Sequence, residues 1–109
     1  MYTVTKRMEI SGAHFLKLDY ESKCKKLHGH NWIVTITVQS ETLNEHGMVV
    51  DFTDIKKVVN RLDHNVVNEV IGSMNPTAEN IAKWLCDQIP NCIKVSVQET
   101  EGNIATYEK

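Results

Sequence analysis

The sequence has 109 residues, of which 41% are hydrophobic and 24% are charged. This length predicts a single domain over residues 1–109, and this composition excludes a disordered tail, a collagen repeat and a coiled coil. Twelve basic and fourteen acidic side chains give a formal charge of -2. Non-specific nucleic-acid binding depends on an excess of cations, so we expect no nucleic-acid partner.

The first two strands are predicted from alternating apolar and polar residues. Apolar side chains recur at every second position from Tyr2 to Ile10, interrupted at Lys6, and again from His30 to Val38. Such a period of two is typical of a strand with one buried face. We expect the two strands to pair antiparallel.

Two helices follow in the sequence. The first is predicted to begin after Asp51, whose carboxylate can cap free N–H groups, and the second after Thr77, with Glu79 in its first turn. Pro90 marks the end of the second helix. The apolar stripe of the first helix comprises Phe52, Ile55, Val58, Val59 and Leu62. The stripe of the second comprises Ile81, Trp84, Leu85 and Ile89.

The last two strands complete an α+β domain. Alternation resumes at Ile93, Val95 and Val97, and a turn at Glu101-Gly102-Asn103 leads into a strand from Ile104 to Tyr107. The order is therefore ββααββ, which favours a four-stranded antiparallel sheet with two helices on one face. Such a sheet keeps two free edges, and pairing between subunits is one way to cover them.

The cysteines and the N-terminal residues indicate the cellular compartment of the protein. An odd number of cysteines at uneven spacing, Cys24, Cys86 and Cys92, favours free thiols in a reducing environment. Lys6 and Arg7 interrupt the apolar stretch that a signal peptide requires, and no apolar run approaches the roughly 20 residues of a membrane span. We therefore expect a cytoplasmic protein without a membrane partner.

Three histidines form the most informative pattern. His28 and His30 are two residues apart, so they project from the same face of an extended chain as the apolar stripe of the second strand. His14 has the parity of Ile10, so a continued first strand would bring it to the same side. Three histidines with an open fourth position are typical of catalytic zinc sites. The alternative is three separate hydrogen-bonded histidines at the core margin.

Cys24 divides two interpretations of this site. Its thiolate, four residues before His28, can act beside an ion as a nucleophile or a general base. It can equally be the fourth ligand, which would close the site and make the protein a structural zinc module.

Three acidic or basic features lie elsewhere in the sequence. Glu99 has the inward parity of Val95 and Val97, where its carboxylate can accept hydrogen bonds from a guanine-like or pterin-like ring, unless the strand ends earlier. Asp63 can orient the adjacent His64 as an acid/base relay, although both residues also suit an exposed turn. A group of lysines can attract a phosphorylated substrate or form a solvated loop: Lys17, Lys23, Lys25 and Lys26.

Six motifs, taken together in this order, resemble the 6-pyruvoyl-tetrahydropterin synthase / 6-carboxy-tetrahydropterin synthase family over essentially the whole chain. They are Ser11-Gly12-Ala13-His14, Cys24-x3-His28-Gly29-His30, Val50-Asp51-Phe52, Leu62-Asp63-His64, Pro76-Thr77-Ala78-Glu79-Asn80 and Gln98-Glu99-Thr100. The resemblance implies the tunnelling fold, in which trimers form a β-barrel and two trimers stack into a homohexamer. It also implies active sites at subunit interfaces.

The resemblance also implies the roles of individual residues. His14, His28 and His30 would bind Zn²⁺, and Cys24 would be the catalytic base. Asp63 and His64 would form a catalytic relay from a neighbouring subunit. Glu99 would anchor the pterin, and Thr77 and Glu79 would border its pocket.

The spacing between Cys24 and His28 resembles the bacterial 6-carboxy branch, which acts in queuosine biosynthesis. The implied reaction converts 7,8-dihydroneopterin triphosphate into 6-carboxy-5,6,7,8-tetrahydropterin, acetaldehyde and triphosphate. One alternative is 6-pyruvoyl-tetrahydropterin formation, in which triphosphate leaves and the carbon side chain stays. Another is a zinc-binding module without catalytic activity.

Overall fold

A four-stranded antiparallel sheet forms the framework of the computed structural model, which describes residues 1–109. The strands are β1 (Tyr2–His14), β2 (His28–Ser40), β3 (Cys92–Thr100) and β4 (Asn103–Glu108), in that spatial order. The helices are α1 (Phe52–Asn60), α2 (Val67–Ile71) and α3 (Ala78–Gln88), with a 3₁₀ turn at Lys23–Lys25. The predicted α+β class and antiparallel sheet are confirmed.

The predicted pairing of the first two strands is confirmed, and both strands are longer than the sequence pattern indicates. Their register runs from Tyr2 opposite Ser40 to His14 opposite His28. The extension matters because it carries β1 past Ile10 as far as His14, and begins β2 at His28 rather than His30.

One face of the sheet is covered by the helices and forms a single core. On β2 this face consists of Trp32, Val34, Ile36 and Val38, all at most 1% exposed. Helix α3 packs against β3 and β4, and α1 and α2 pack against β1. His14, at 0% exposure, is the buried polar residue that accompanies nineteen buried hydrophobic ones. A buried imidazole at the end of a core strand requires polar partners.

Both predicted helix caps are confirmed. The Asp51 side chain accepts a hydrogen bond from the Thr53 N–H at 2.8 Å, and the Thr77 hydroxyl accepts one from the Asn80 N–H at 3.1 Å. Phe52, the first residue of the predicted apolar stripe of α1, is 48% exposed. Phe52 is the first residue of α1 and lies beyond the core, with the Lys6 ammonium 5.9 Å from its ring.

The structure adds a short helix, α2, that the ββααββ order lacks. Val67 and Ile71 of this helix are buried, and it ends at Gly72, whose φ of 80° is in the left-handed region that favours glycine. An isolated parallel bridge between Ala13 and Val66 places the start of α2 beside the end of β1. Helix α2 therefore contributes to the surroundings of His14.

None of these helices has the length and apolar character needed to cross a membrane.

Candidate active site

The register of β1 and β2 gathers the three histidines. His14 lies directly opposite His28, and His30 lies opposite Gly12, two residues before His14. Opposed residues of an antiparallel pair project from the same face, so all three rings meet at one end of the core. Their centroids are 4.6 to 5.2 Å apart. The prediction that the histidines share a face is confirmed.

Gly12 gives the histidine end of the sheet its close packing. Its carbonyl accepts a hydrogen bond from the Trp32 indole N–H at 3.0 Å. A Cβ at this position would lie 3.1 Å from the Leu62 carbonyl oxygen and 3.4 Å from the indole nitrogen. The absence of a side chain at Gly12 therefore lets the loop after α1 approach β1 opposite His30.

Backbone carbonyls fix the tautomers of two histidines. The Nδ1 atom of His14 lies 2.7 Å from the Pro76 carbonyl oxygen, and that of His28 lies 2.7 Å from the Lys26 carbonyl oxygen. A carbonyl only accepts hydrogen bonds, so both Nδ1 atoms carry the proton. In the neutral rings, each Nε2 therefore has a free lone pair, as a metal ligand requires.

The donor atoms of this group suit a divalent cation. The Nε2 atoms of His14 and His30 are buried without a hydrogen-bond partner. A carboxylate oxygen of Glu99 lies 3.3 Å from the first and 3.5 Å from the second. The ligand atoms of His14, His28, His30 and Glu99 all lie within 4.8 Å of one another. Imidazole nitrogens together with a carboxylate form a donor set that zinc accepts, so the residues fit a metal ion.

Burial also favours the metal-binding form of two rings. Loss of solvation lowers the pKa of His14 and that of His30, and the neighbouring imidazoles add to the effect. The nearby Glu99 carboxylate opposes the shift in both cases. The net result keeps the rings neutral, which is the state that binds a metal.

Strand β3 continues far enough to deliver Glu99 to the histidines. The strand runs to Thr100, and its pairing with β4 shifts register between Gln98 and Thr100, so Glu99 is skipped. A bulge of this kind redirects a side chain. The carboxylate is 30% exposed and turns towards His14 and His30, so the alternative that the strand ends before Glu99 is wrong.

Cys24 lies close to this group in sequence but outside it in space. The residue is half-buried in the 3₁₀ turn, its N–H donates to the Ser22 hydroxyl at 3.1 Å, and its carbonyl accepts from the Leu16 N–H at 2.8 Å. Its thiol is not among the four donors. The geometry therefore supports a free thiol at Cys24 more than a fourth metal ligand.

Asp63 and His64 form a pair within the chain. The Asp63 carboxylate lies 3.0 Å from Nδ1 of His64 and accepts a hydrogen bond from the Ser11 N–H at 2.9 Å. This backbone hydrogen bond lowers the pKa of Asp63. His64 has a φ of 57°, and its side chain is 82% exposed. The pair is thus held in place by β1 but presents its imidazole to the outside.

Two cavities meet the site from different sides. One, of about 460 Å³, is lined by both His30 and His64. The other, of about 630 Å³, is lined by Thr77, Glu79 and Glu99, the three residues that the family resemblance assigns to the pterin pocket. Leu16 lines the same cavity. The structure therefore places all three near one another, while His64 belongs to the separate cavity.

Sequence reasoning missed two asparagines that hold the segment between His14 and Cys24. The Asn68 side chain makes hydrogen bonds of 3.0 Å with both the N–H and the carbonyl of Phe15. The Asn75 side chain does the same with Lys17, at 2.8 and 3.2 Å. Both amides replace the strand partner that this segment lacks. The only sequence signal is the Asn75-Pro76 pair, which is typical of turns.

Comparisons with known proteins identify the family of this chain. The family model described as 6-pyruvoyl tetrahydropterin synthase matches residues 3–109. The 6-carboxy-5,6,7,8-tetrahydropterin synthase of Synechocystis is 35% identical, with 98% of this chain and 93% of the relative covered. The dihydroneopterin monophosphate aldolase of Pyrococcus furiosus is 36% identical, with 76% of this chain and 70% of the relative covered.

A solved structure extends the agreement to the fold. The 6-pyruvoyl tetrahydropterin synthase of Caenorhabditis elegans superimposes with a TM-score of 0.77 at 26% identity, covering 99% of this chain and 95% of that chain. The family match spans nearly all of the sequence and includes the histidine group and Glu99. The chain therefore belongs to the 6-pyruvoyl tetrahydropterin synthase family.

Proposed function

We propose that this protein is a zinc-dependent 6-carboxy-5,6,7,8-tetrahydropterin synthase acting in queuosine biosynthesis. The substrates would be 7,8-dihydroneopterin triphosphate and one water molecule, and the products 6-carboxytetrahydropterin, acetaldehyde and triphosphate. The observation that carries the proposal is the group of three imidazoles beside the Glu99 carboxylate, in which Nε2 of His14 and Nε2 of His30 are buried without a hydrogen-bond partner. The Synechocystis relative, which covers almost the whole chain, supports the 6-carboxy reaction in particular.

Each residue of the site has a separate task in this reaction. His14, His28 and His30 would hold the ion, which when bound supplies a Lewis acid that stabilises negative charge on a substrate oxygen. Cys24, as a thiolate, would take a proton from the side chain of the substrate. The Cys24 carbonyl is bonded to Leu16, which lines the cavity of Thr77 and Glu79, so the turn that carries the thiol is tied to that cavity.

The Asp63–His64 pair would complete the acid/base chemistry. Asp63 accepts from Nδ1 of His64, so the other ring nitrogen is free to exchange a proton with the substrate. Because His64 is turned outward, we propose that it serves the site of a neighbouring subunit in a homohexamer. The unpaired edges of β1 and β4 are suited to such an assembly, which we place in the cytoplasm. Sedimentation of the purified protein tests the hexamer.

The cavity beside Glu99 would take the pterin ring. The Glu99 carboxylate can accept hydrogen bonds from two adjacent N–H groups of the ring, which fixes the orientation of the substrate. Thr77 and Glu79 line the same cavity and would border the ring. The hydroxyl of Thr77 accepts the capping hydrogen bond of α3, and its own O–H would still be able to donate to the ring.

Replacement of Cys24 tests the mechanism. We expect Cys24→Ala to lower turnover of 7,8-dihydroneopterin triphosphate by about 100-fold or more, because general acid–base groups contribute factors of this size. Zinc content and pterin binding should stay as in the unmodified protein, since the thiol is not among the metal donors. Unchanged turnover would contradict the proposed base.

Identification of the products decides between reactions. Release of acetaldehyde supports the 6-carboxy synthase. A product that keeps its three-carbon side chain after loss of triphosphate would indicate the 6-pyruvoyl synthase, and a phosphorylated aldehyde would indicate an aldol cleavage. No conversion by zinc-loaded protein would instead favour the zinc-binding module.

A further inference from the structure

At His14, the contact with Glu99 brings together lone pairs that repel one another without a cation when the ring is neutral. His14 donates its Nδ1 proton to the Pro76 carbonyl, so its Nε2 has a lone pair and no proton to donate. That nitrogen faces a carboxylate oxygen at 3.3 Å, and the same oxygen lies 3.5 Å from Nε2 of His30. Neither nitrogen has a hydrogen-bond partner. A shared positive ion resolves this arrangement for all three atoms.

The separations match those between ligands of one tetrahedral ion. Zinc binds imidazole nitrogen and carboxylate oxygen at about 2.0–2.2 Å, so two ligands at the tetrahedral angle are about 3.3–3.6 Å apart. The distances from Glu99 to His14 and His30 fall in this range. The full set of donor atoms, which includes His28, lies within 4.8 Å.

We infer that Glu99 is the fourth ligand of the metal in the substrate-free protein and leaves the ion when a pterin ring binds. The second half rests on the proposed function, in which the same carboxylate anchors the ring. Two parallel hydrogen bonds from the ring engage both carboxylate oxygens, including the one that faces His14 and His30, so the ring and the ion compete for Glu99. The substrate-free site is then closed, and recognition of the pterin opens the coordination position that catalysis needs.

This exchange means that binding of the pterin ring and binding of the metal ion by Glu99 weaken each other. A ligand that removes Glu99 from the ion lowers the affinity for zinc, and zinc lowers the affinity for that ligand by the same factor. A natural substrate offsets the loss, because its side-chain oxygens can take the vacated position. A pterin without such oxygens does not, which separates the two effects experimentally.

The first experiment is a zinc titration of metal-free protein with a competing chelator, without any pterin. We expect Glu99→Gln to weaken zinc binding by about tenfold or more, because a neutral amide replaces an anionic ligand. Glu99→Asp should also weaken it, since the charge remains but the oxygen is withdrawn by one methylene. The matched control is Glu101→Gln, which removes the same charge from the exposed turn two residues away. Equal zinc affinity in Glu99→Gln and the unmodified protein would overturn the inference.

The second experiment measures binding of 6-methylpterin, which lacks side-chain hydroxyls, by its fluorescence. We expect severalfold weaker binding to the zinc-loaded protein than to the metal-free protein. Equal or tighter binding to the zinc-loaded form would overturn the exchange. Binding to neither form would contradict both the exchange and the proposed pterin cavity, while the zinc titration would still judge Glu99 as the fourth ligand.

Discussion

At the residue scale, the alternation of apolar and polar residues predicts which face the three histidines share. The tautomers and hydrogen-bond partners of these histidines depend on chain segments that are remote in sequence. The parity of His14, His28 and His30 was enough to place them on one face, because register couples two strands through simple alternation. The Pro76 carbonyl that fixes His14 is 62 residues away in sequence, so no local pattern reveals it. The direction of the Glu99 side chain also depends on a bulge between β3 and β4, and no glycine in the sequence marks this bulge.

The ionised side chain of Asp63 is a local source of pH dependence. Its pKa is lowered by the hydrogen bond from Ser11, so the charged carboxylate stabilises the folded state above about pH 4, the unfolded value. That contribution disappears as the pH falls through the lower folded pKa. We expect Asp63→Asn to be less stable than the unmodified protein at pH 7, and the difference to narrow below about pH 4.

Urea unfolding at several pH values measures this difference. Asp19→Asn, in an exposed loop, is the control for removal of one negative charge. A difference between Asp63→Asn and the unmodified protein that stays constant from pH 7 to pH 3 would contradict the assignment.

At the scale of elements, the long periodic segments were predictable and the short ones were not. Strands β1 and β2 and helices α1 and α3 have enough residues for a clear period, whereas α2 has only five. Its start at Val66 also lacks a capping side chain. Yet α2 supplies Asn68, which, with Asn75, holds the chain that joins β1 to the turn containing Cys24.

Asn75 holds Lys17, whose neighbour Leu16 bonds to the Cys24 carbonyl, so under the proposed function Asn75 would position the thiol without touching the reacting atoms. We expect Asn75→Ala to release Lys17 and loosen the bond between Leu16 and the Cys24 carbonyl, lowering kcat by about 10- to 100-fold. Zinc affinity should change by less than about threefold, because Pro76 keeps its contact with His14 through the main chain.

Steady-state kinetics and a zinc titration separate these effects. Asn60→Ala, an exposed residue at the end of α1, is the matched asparagine control. Equal losses in kcat and in zinc affinity for Asn75→Ala would indicate general damage to the site rather than a positioning role.

At the scale of the whole molecule, the sequence predicted the sheet, the helix-covered face and the family, because each depends on features spread along the entire chain. The assembly of subunits, in contrast, depends on contacts between chains. A single chain shows the unpaired edges of β1 and β4 but contains no partner, so the homohexamer stays a prediction.

Metal binding should stabilise the whole fold, because the histidine group joins β1 to β2 and is present only in the folded chain. We expect zinc at 100 times its Kd to add about 2.7 kcal/mol to the free energy of unfolding and to raise Tm. Mg²⁺ prefers oxygen ligands and should have no such effect. Calorimetry with each ion measures the shift, and His28→Ala should lack most of it. An equal rise in Tm for this variant would argue against binding at the histidines.

The contrast among the three thiols gives the folded chain a chemical property of its own. Cys86 and Cys92 are at most 1% exposed, and burial raises the pKa of Cys86 to about 12. Cys24 is only half-buried. A small alkylating reagent should therefore attach once per chain, and intact-protein mass spectrometry can count that adduct. Protection of this adduct by a bound substrate would measure occupancy of the site without any turnover.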